Sequence, residues 1–366
     1  MGEWRRLETS LQVRGSLLGR GLHSSLRAAN PQYSKRWETM KTTVVLCTCN
    51  HWQSLAKALE SIAALRLPEA DEWEVLVVDN NSSDQTRQVV EEFCRRYPDR
   101  FRYLVEPLQG KSHALNAGVR EAHGDVLAFL DDDVTVEPTW LQNLTAPLND
   151  GEWAGAGGRT LLAQAFSPPR WLGLKEPYNF GGALAALFDV GEGPCQLDRP
   201  PYGTNMAFQK RVFEKYGGFR TDLGPQPGSQ IRNEDTEFGR RLMAAGERLR
   251  YEPSAIVYHP APENRIQKSY FLTWYFDCGR AMVREWKRGP DILGIPRRCF
   301  TFFKLVGTAL PVISLQWMLA RNPQRRFFCK CHVRMTIGQI VEIYRQWRNL
   351  KGQAINSRLR TGVAPE

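Results

Sequence analysis

Three consecutive carboxylates, Asp131, Asp132 and Asp133, follow the short apolar run 125–130. The run has the length of a buried strand, which puts the triplet at a strand's carboxyl end, where open α/β sheets bind ligands. Adjacent negative charges repel one another unless a cation is present. A hard divalent ion held by one or two carboxylates plus phosphate oxygens would relieve that repulsion; an acidic turn with no ligand is the plain alternative. A second acidic pair, Glu234-Asp235, begins a helical pattern behind Asn233, a residue suited to N-capping. Acids in a first turn also answer the helix dipole, so this pair carries chemistry only in company. Lys111 opens another helix, where a cation opposes the dipole. A bound phosphate would explain it, and a solvated lysine is the alternative. His259 ends a late apolar run.

These residues need elements to hold them. From residue 43 the pattern alternates strand and helix. Strands are predicted at 43–48, 74–79, 101–105 and 126–130, and helices at 54–65, 86–97 and 111–122. That alternation predicts a largely parallel sheet with right-handed crossovers. A helix is expected to open at 137–140 with Pro138 near its first turn. Gly155, Gly157 and Gly158 mark 154–159 as a strand close to other backbone. Residues 165–200, rich in Pro, Gly and aromatics, form a long loop; 251–259 reads as a strand, and 221–232 as a mobile lid. No G-x-G-x-x-G follows the first strand and no G-x4-G-K-[ST] is present, which excludes a dinucleotide fingerprint and a P-loop.

The chain has 366 residues and a net charge of +10. Its charge is uneven. Residues 1–39 carry seven Lys/Arg against three Glu, and residues 321–366 ten against two, leaving a net of −2 for 40–320. Basic flanks around a mildly acidic core favour an anionic lipid surface over nucleic acid. The eight cysteines lack disulfide or zinc spacing and read as incidental thiols of a reducing compartment. Residues 1–39 have no sustained periodicity and are expected to be a dispensable, disordered extension. Residues 299–320 are apolar enough to span a bilayer, but Lys304, Gly307 and Pro311 interrupt them. An interfacial or re-entrant helix, a single span and a buried core helix are the competing readings. Flanking basic residues and Trp317 suit the interface.

Four segments in order resemble family 2 glycosyltransferases, the inverting type built on the GT-A fold. Val44 to Asn50 is similar to the opening strand of that family, with Cys47 in place of Pro and Cys49 in place of an aromatic. The segment 77–84 resembles its second nucleotide-binding stretch, 110–118 its third, and the Asp triplet its D-x-D motif. The resemblance covers about residues 42–262. It implies donor contacts from Thr48, Asn50, Asp79, Lys111, Asn116, Asp131 and Asp132, with Asp79 on the base, Lys111 near the diphosphate and Asn116 bracing the nucleotide loop. Metal contacts are implied for Asp133, Asp131 and His259, and acceptor contacts for Tyr202, Gly203 and Asn205. Asp235 is assigned as general base with Glu234 beside it, and Arg265 as a further diphosphate candidate. Trp171, Tyr178 and Phe180 are expected either to stack on sugar faces or to bury the 165–200 insert.

The fold expected is thus an α/β GT-A fold, a Rossmann-like mixed sheet flanked by helices. Residues 40–262 form the catalytic domain, with a nucleotide-sugar half at 40–135 and an acceptor half at 136–262; residues 263–366 form a helical region. The activity expected is metal-dependent, inverting transfer from a nucleoside-diphosphate-sugar to a glycan or lipid-linked acceptor, with Mn²⁺ or Mg²⁺ as cofactor. The place expected is the cytoplasmic face of a membrane, met through 270–350. A sugar nucleotidylyltransferase and a non-catalytic glycan-binding relative are the alternatives. The first lacks its Gly-rich basic loop at 43–52, and the intact Asp131, Asp133 and Asp235 argue against the second.

Overall fold

The computed structural model describes residues 40–286 and 297–361; the extension at 1–39 lies outside the described residues. Strands β1 (Thr42–Thr48), β2 (Trp73–Asp79), β3 (Phe101–Val105) and β4 (Val126–Asp131) alternate with helices α1 (Trp52–Ala63), α2 (Thr86–Arg96) and α3 (Lys111–Glu121). These four strands pair in parallel in the order β3-β2-β1-β4. Both faces of the strands are covered, so their sequences are almost continuously apolar. The two-residue period then divides the side chains. Val44, Leu46, Val75, Val77 and Ala128 face one layer, and Val45, Leu76, Val78, Leu127 and Phe129 the other.

The second half turns the sheet mixed. After the short β5 (Thr135–Val136) and α4 (Trp140–Thr145) come β6 (Gly155–Leu162), α5 (Gly181–Ala185), β7 (Cys195–Gln196) and β8 (Asn205–Gln209). Helices α6 (Arg211–Tyr216) and α7 (Glu234–Ala244) and strand β9 (Leu249–His259) complete it. β8 is antiparallel to both β4 and β6, while β6 runs parallel to β9. The expected helix at 137–140 starts only at Trp140, because Pro138 lies in the turn ahead of it. Asn233 lies ahead of α7 with φ +80° and makes no side-chain cap; its Nδ2 donates instead to Glu285. The lid segment is tied down: Ser112 Oγ donates to Leu223 O, Lys111 N to Pro225 O, and Leu223 and Ile231 are buried with Ala281.

The chain continues through α8 (Lys268–Glu285), α9 (Arg297–Lys304), α10 (Leu310–Leu319) and α11 (Pro323–Thr361). Helices α8 and α11 cross backbone to backbone. A Cβ on Gly279 would lie 2.0 Å from Met335 O, and one on Gly338 2.0 Å from Phe276 O. Arg280 and Arg284 of α8 both reach Glu342 of α11. Helix α11 is long because the basic stretch at its start carries Phe327 and Cys331 into the packing against α8. Trp171, Tyr178 and Phe180 join the same cluster. Phe180 is fully buried, Trp171 meets Phe271 and Phe327 edge-on, and Tyr178 meets Phe328. They bury the insert, and the sugar-stacking reading of these three rings is set aside.

The apolar stretch 299–319 is one helical rod with a π turn at Leu305–Ala309. Pro311 accounts for the turn, since it lacks an N–H and crowds the carbonyl four residues earlier. None of the rod's apolar window is buried, and Phe303, Met318 and Leu319 are exposed. The buried-core-helix reading is thereby overturned.

Candidate active site

The site lies at the carboxyl ends of β1, β2 and β4. Asp79 ends β2, nearly buried; its two oxygens accept Ser82 N at 2.8 Å and the Tyr103 hydroxyl at 2.7 Å. Beside it Thr48 ends β1 with a buried Oγ that has no hydrogen-bond partner among the described residues. Asn50, at φ +57°, accepts Ser83 N on Oδ1 and donates its own N–H to the Ser82 hydroxyl oxygen. It joins the two loops that rim this end. Asp84, just ahead of α2, accepts Thr86 N and the Thr86 hydroxyl.

The β4 carboxylates have distinct surroundings. Asp131 Oδ1 accepts Lys111 Nζ at 2.5 Å and Oδ2 accepts the Thr204 hydroxyl at 2.7 Å. Burial opposes its charge, but Lys111 and Thr204 hold it well below the usual carboxylate range. Asp132 meets His51 Nδ1 at 3.3 Å, and that hydrogen bond raises the imidazole's pKa. Asp133 faces His259 Nε2 at 3.6 Å and Arg265 Nη2 at 3.1 Å. Burial and the neighbouring Asp131 nevertheless push its pKa up, against His259 and Arg265. Asp131, Asp133 and His259 each offer a ligand atom within 4.8 Å of the others, and among the described residues this is the group suited to a metal ion. Two carboxylates and an imidazole fit a divalent cation.

Across the cleft, α7 presents the second pair. Asp235 Oδ2 accepts Gly203 N at 2.6 Å, and Oδ1 accepts Thr236 N at 2.5 Å and the Thr236 hydroxyl at 3.1 Å. The carboxylate is oriented by donors while it lines the open cleft. Glu234 is buried, 3.8 Å from Lys111 Nζ. Burial raises its pKa to about 7, partly offset by Lys111 and reinforced by Asp235. Burial would lower the Lys111 pKa, yet Asp131, Glu234 and Asp235 together raise it. Lys111 is thus the cation that joins Asp131 of the triplet to the Glu234–Asp235 pair.

A cavity of about 690 Å³ joins Asp131 and His259 to Glu234 and Asp235, with Lys111, Thr204, Tyr202 and Arg265 also in its lining. Its far wall is α8, which contributes Tyr270, Trp274, Cys278 and Met282 at four-residue spacing. Asn116 and Asn205 are engaged in holding the fold. Asn116 clamps Phe219, donating to its carbonyl and accepting its N–H, both at 2.8 Å. Asn205 is buried, accepting the Trp140 indole N–H and donating to Arg159 O and Ala255 O. With their polar atoms engaged in the fold, neither faces the cavity.

Sequence reasoning passed over Thr204, His51 and the α8 wall. The four-residue spacing on α8 was readable as one helical face. Thr204 follows from the β4–β8 register, which pairs Leu130 with Asn205 and so brings Thr204 beside Asp131; no local signal carries it. Asn80 is another, its side chain holding Glu106 O, Leu108 O and Gly110 N and so shaping the loop ahead of Lys111.

Comparison with known proteins agrees with this geometry. Residues 43–217 match the model for "Glycosyl transferase family 2". The chain is 30% identical over 248 residues to the succinoglycan biosynthesis protein ExoM of Rhizobium meliloti, covering 68% of this chain and 75% of that one. It is 28% identical over 261 residues to a glucosyl-dolichyl phosphate glucuronosyltransferase of Haloferax volcanii, covering 69% and 78%. Among solved structures, the mannosyltransferase PcManGT from Pyrobaculum calidifontis, in complex with GDP-Man and Mn²⁺, superposes with a TM-score of 0.52 at 18% identity, covering 84% of this chain and 89% of that one.

Proposed function

The chain belongs to glycosyltransferase family 2 and has the GT-A fold, and from that premise we propose a metal-dependent, inverting transfer of sugar from a nucleoside diphosphate to an acceptor hydroxyl. The observation that carries this reading is one cavity lined by Asp131, His259 and the hydrogen-bonded Asp235, with Asp133 completing the metal-suited group beside His259. Polysaccharide or glycolipid assembly at the cytoplasmic face of a membrane is the setting we infer. The names of the relatives and the exposed apolar rod of α9 and α10 support it.

In this reading Asp79 and the unpartnered Thr48 hydroxyl meet the nucleoside. Asp131, Asp133 and His259 would hold a divalent cation, which when bound neutralises charge developing on the leaving diphosphate. Lys111 and Arg265 stand beside these carboxylates as fixed cations and add to the same field. An acceptor hydroxyl is a poor nucleophile at neutral pH and needs a positioned base during attack. Asp235, oriented by Gly203 and Thr236, takes that proton. Glu234 stays beneath it, paired with Lys111. The hydroxyl attacks the anomeric carbon opposite the diphosphate: one C–O bond forms as the other breaks, the configuration inverts, and the diphosphate leaves with the bonding pair.

Melting the protein with UDP, GDP or dTDP, with and without Mn²⁺, tests the donor half, because ligand binding to the native state raises the melting temperature. One nucleotide should stabilise the wild type only with metal, and Asp133→Asn should lose the effect. Stabilisation by none of them, in a protein that melts cooperatively, would move the chain to the non-catalytic glycan-binding reading.

A further inference from the structure

A second cavity, of about 310 Å³, opens where α10 gives way to α11, away from the carboxylates. Its walls are Trp171, Lys268, Trp317, Pro323, Arg326, Phe327 and Lys330. Three cations line it and no acid does. Among the described residues none of the three has a carboxylate within ion-pair distance. Aromatic faces hold two of them. Lys268 Nζ sits 5.7 Å from the Trp171 ring centre and 5.9 Å from that of Phe327, and Lys330 Nζ sits 5.6 Å from that of Trp317. Pro323 and Arg326 belong to the first turn of α11, whose positive dipole end adds to the field. The exposed Leu315, Met318 and Leu319 of α10 lie in sequence on either side of Trp317.

We propose that this cavity takes the phosphate headgroup of an anionic phospholipid, with α9 and α10 laid into the adjoining hydrocarbon. The inference rests on the membrane-associated reading above and gives that reading a specific site. A phosphate ester satisfies unpaired Lys and Arg donors. Two tryptophans next to an exposed apolar helix are the side chains that settle at a headgroup boundary. Free phosphate would use the three cations but gain nothing from the rings or from α10. Lys268 is also the first residue of α8, whose Tyr270 and Trp274 line the catalytic cavity, so a headgroup held there lies at the start of the helix that walls that cavity.

The experiment is co-sedimentation of the full chain with phosphatidylcholine vesicles, with and without phosphatidylglycerol. Phosphatidylglycerol should strengthen binding of the wild type. Lys268→Glu/Arg326→Glu/Lys330→Glu should weaken it about fivefold per residue, roughly a hundredfold in all. Lys57→Glu/Arg66→Glu/Arg95→Glu makes the same charge change at exposed positions of the catalytic half and should bind nearly as the wild type does. Equal losses in the two triples would mean general charge attraction and would overturn the site. Displacement of vesicles by inorganic phosphate at matched phosphate concentration would reassign the cavity to the free ion. If the Glu triple loses its cooperative melt, Lys268→Gln/Arg326→Gln/Lys330→Gln carries the same comparison. Sedimentation requires no turnover, so failure of sugar transfer leaves this result standing. Wild type that ignores vesicles sinks the membrane reading and the site together, whereas an undiminished triple sinks the site alone.

Discussion

Glu234 and Asp235 are neighbours in sequence with opposite surroundings. Asp235 lines the cleft under two backbone N–H groups, and Glu234 is buried against Lys111. The roles therefore separate. Asp235→Asn keeps the volume and removes the base, so turnover should fall about 10²–10⁴-fold while stabilisation by nucleotide and metal persists. Parallel loss of that stabilisation would instead place Asp235 in donor binding. Glu234 predicts a pH signature. Its folded pKa is about 7, against about 4.3 for a free glutamate. Between those values the folded state holds a proton that the unfolded chain has released, so the contribution of Glu234 to stability is complete below about pH 4.3 and fades as pH rises through about 7. Denaturation midpoints at about pH 5 and about pH 8 should differ less in Glu234→Gln than in the wild type. An identical pH slope in the two proteins would show that Glu234 titrates normally.

At the scale of elements, two crossings hold the molecule in shape. Helices α8 and α11 meet at Gly279 and Gly338, where an added Cβ would strike backbone carbonyls. Backbone cannot move aside as a flexible side chain can. Gly338→Ala should cost about 1–3 kcal/mol of stability, read as a lower denaturation midpoint. The second crossing is the Asn116 clamp on Phe219. Asn116→Ala leaves the Phe219 N–H and carbonyl without their partner, at about 1–3 kcal/mol, and should leave nucleotide affinity unchanged. A large loss of nucleotide affinity in a stable variant would restore Asn116 to the donor site. Sequence could not distinguish these outcomes. The strands, α1 to α3 and the carboxylates at the β4 end were legible because they are local: an apolar run, a helical period, a triplet. The partners of Asn116 and Asn205 were not legible, because an asparagine in a family motif looks alike whether it faces a ligand or a backbone 103 or 46 residues away. The antiparallel insertion of β8, which brings Thr204 to Asp131, depends on long-range register that no local period encodes. The insert's aromatics met their partners on α8 and α11 for the same reason.

The whole molecule joins an acidic catalytic half to a basic, apolar arm, and the arm is not a loose appendage. Substituting Asp for the exposed Phe303, Met318 and Leu319 should shift the protein from the membrane fraction to the soluble one while its nucleotide response is kept. An unchanged distribution would mean that the rod is covered by something other than lipid. Asn233, just ahead of α7, and Arg240 of α7 both bind Glu285 at the end of α8, and α8 is locked to α11 by Glu342. The helix that carries the proposed base is thus braced, through α8 and α11, to the part that would rest on a bilayer. On a docked molecule Asp235 stands at a fixed height above the headgroups, set by helix length and not by loop slack. Such an enzyme works as a gauge. Offered a series of glycans of graded length on one lipid anchor, it should turn over fastest the member whose terminal hydroxyl stands at that height.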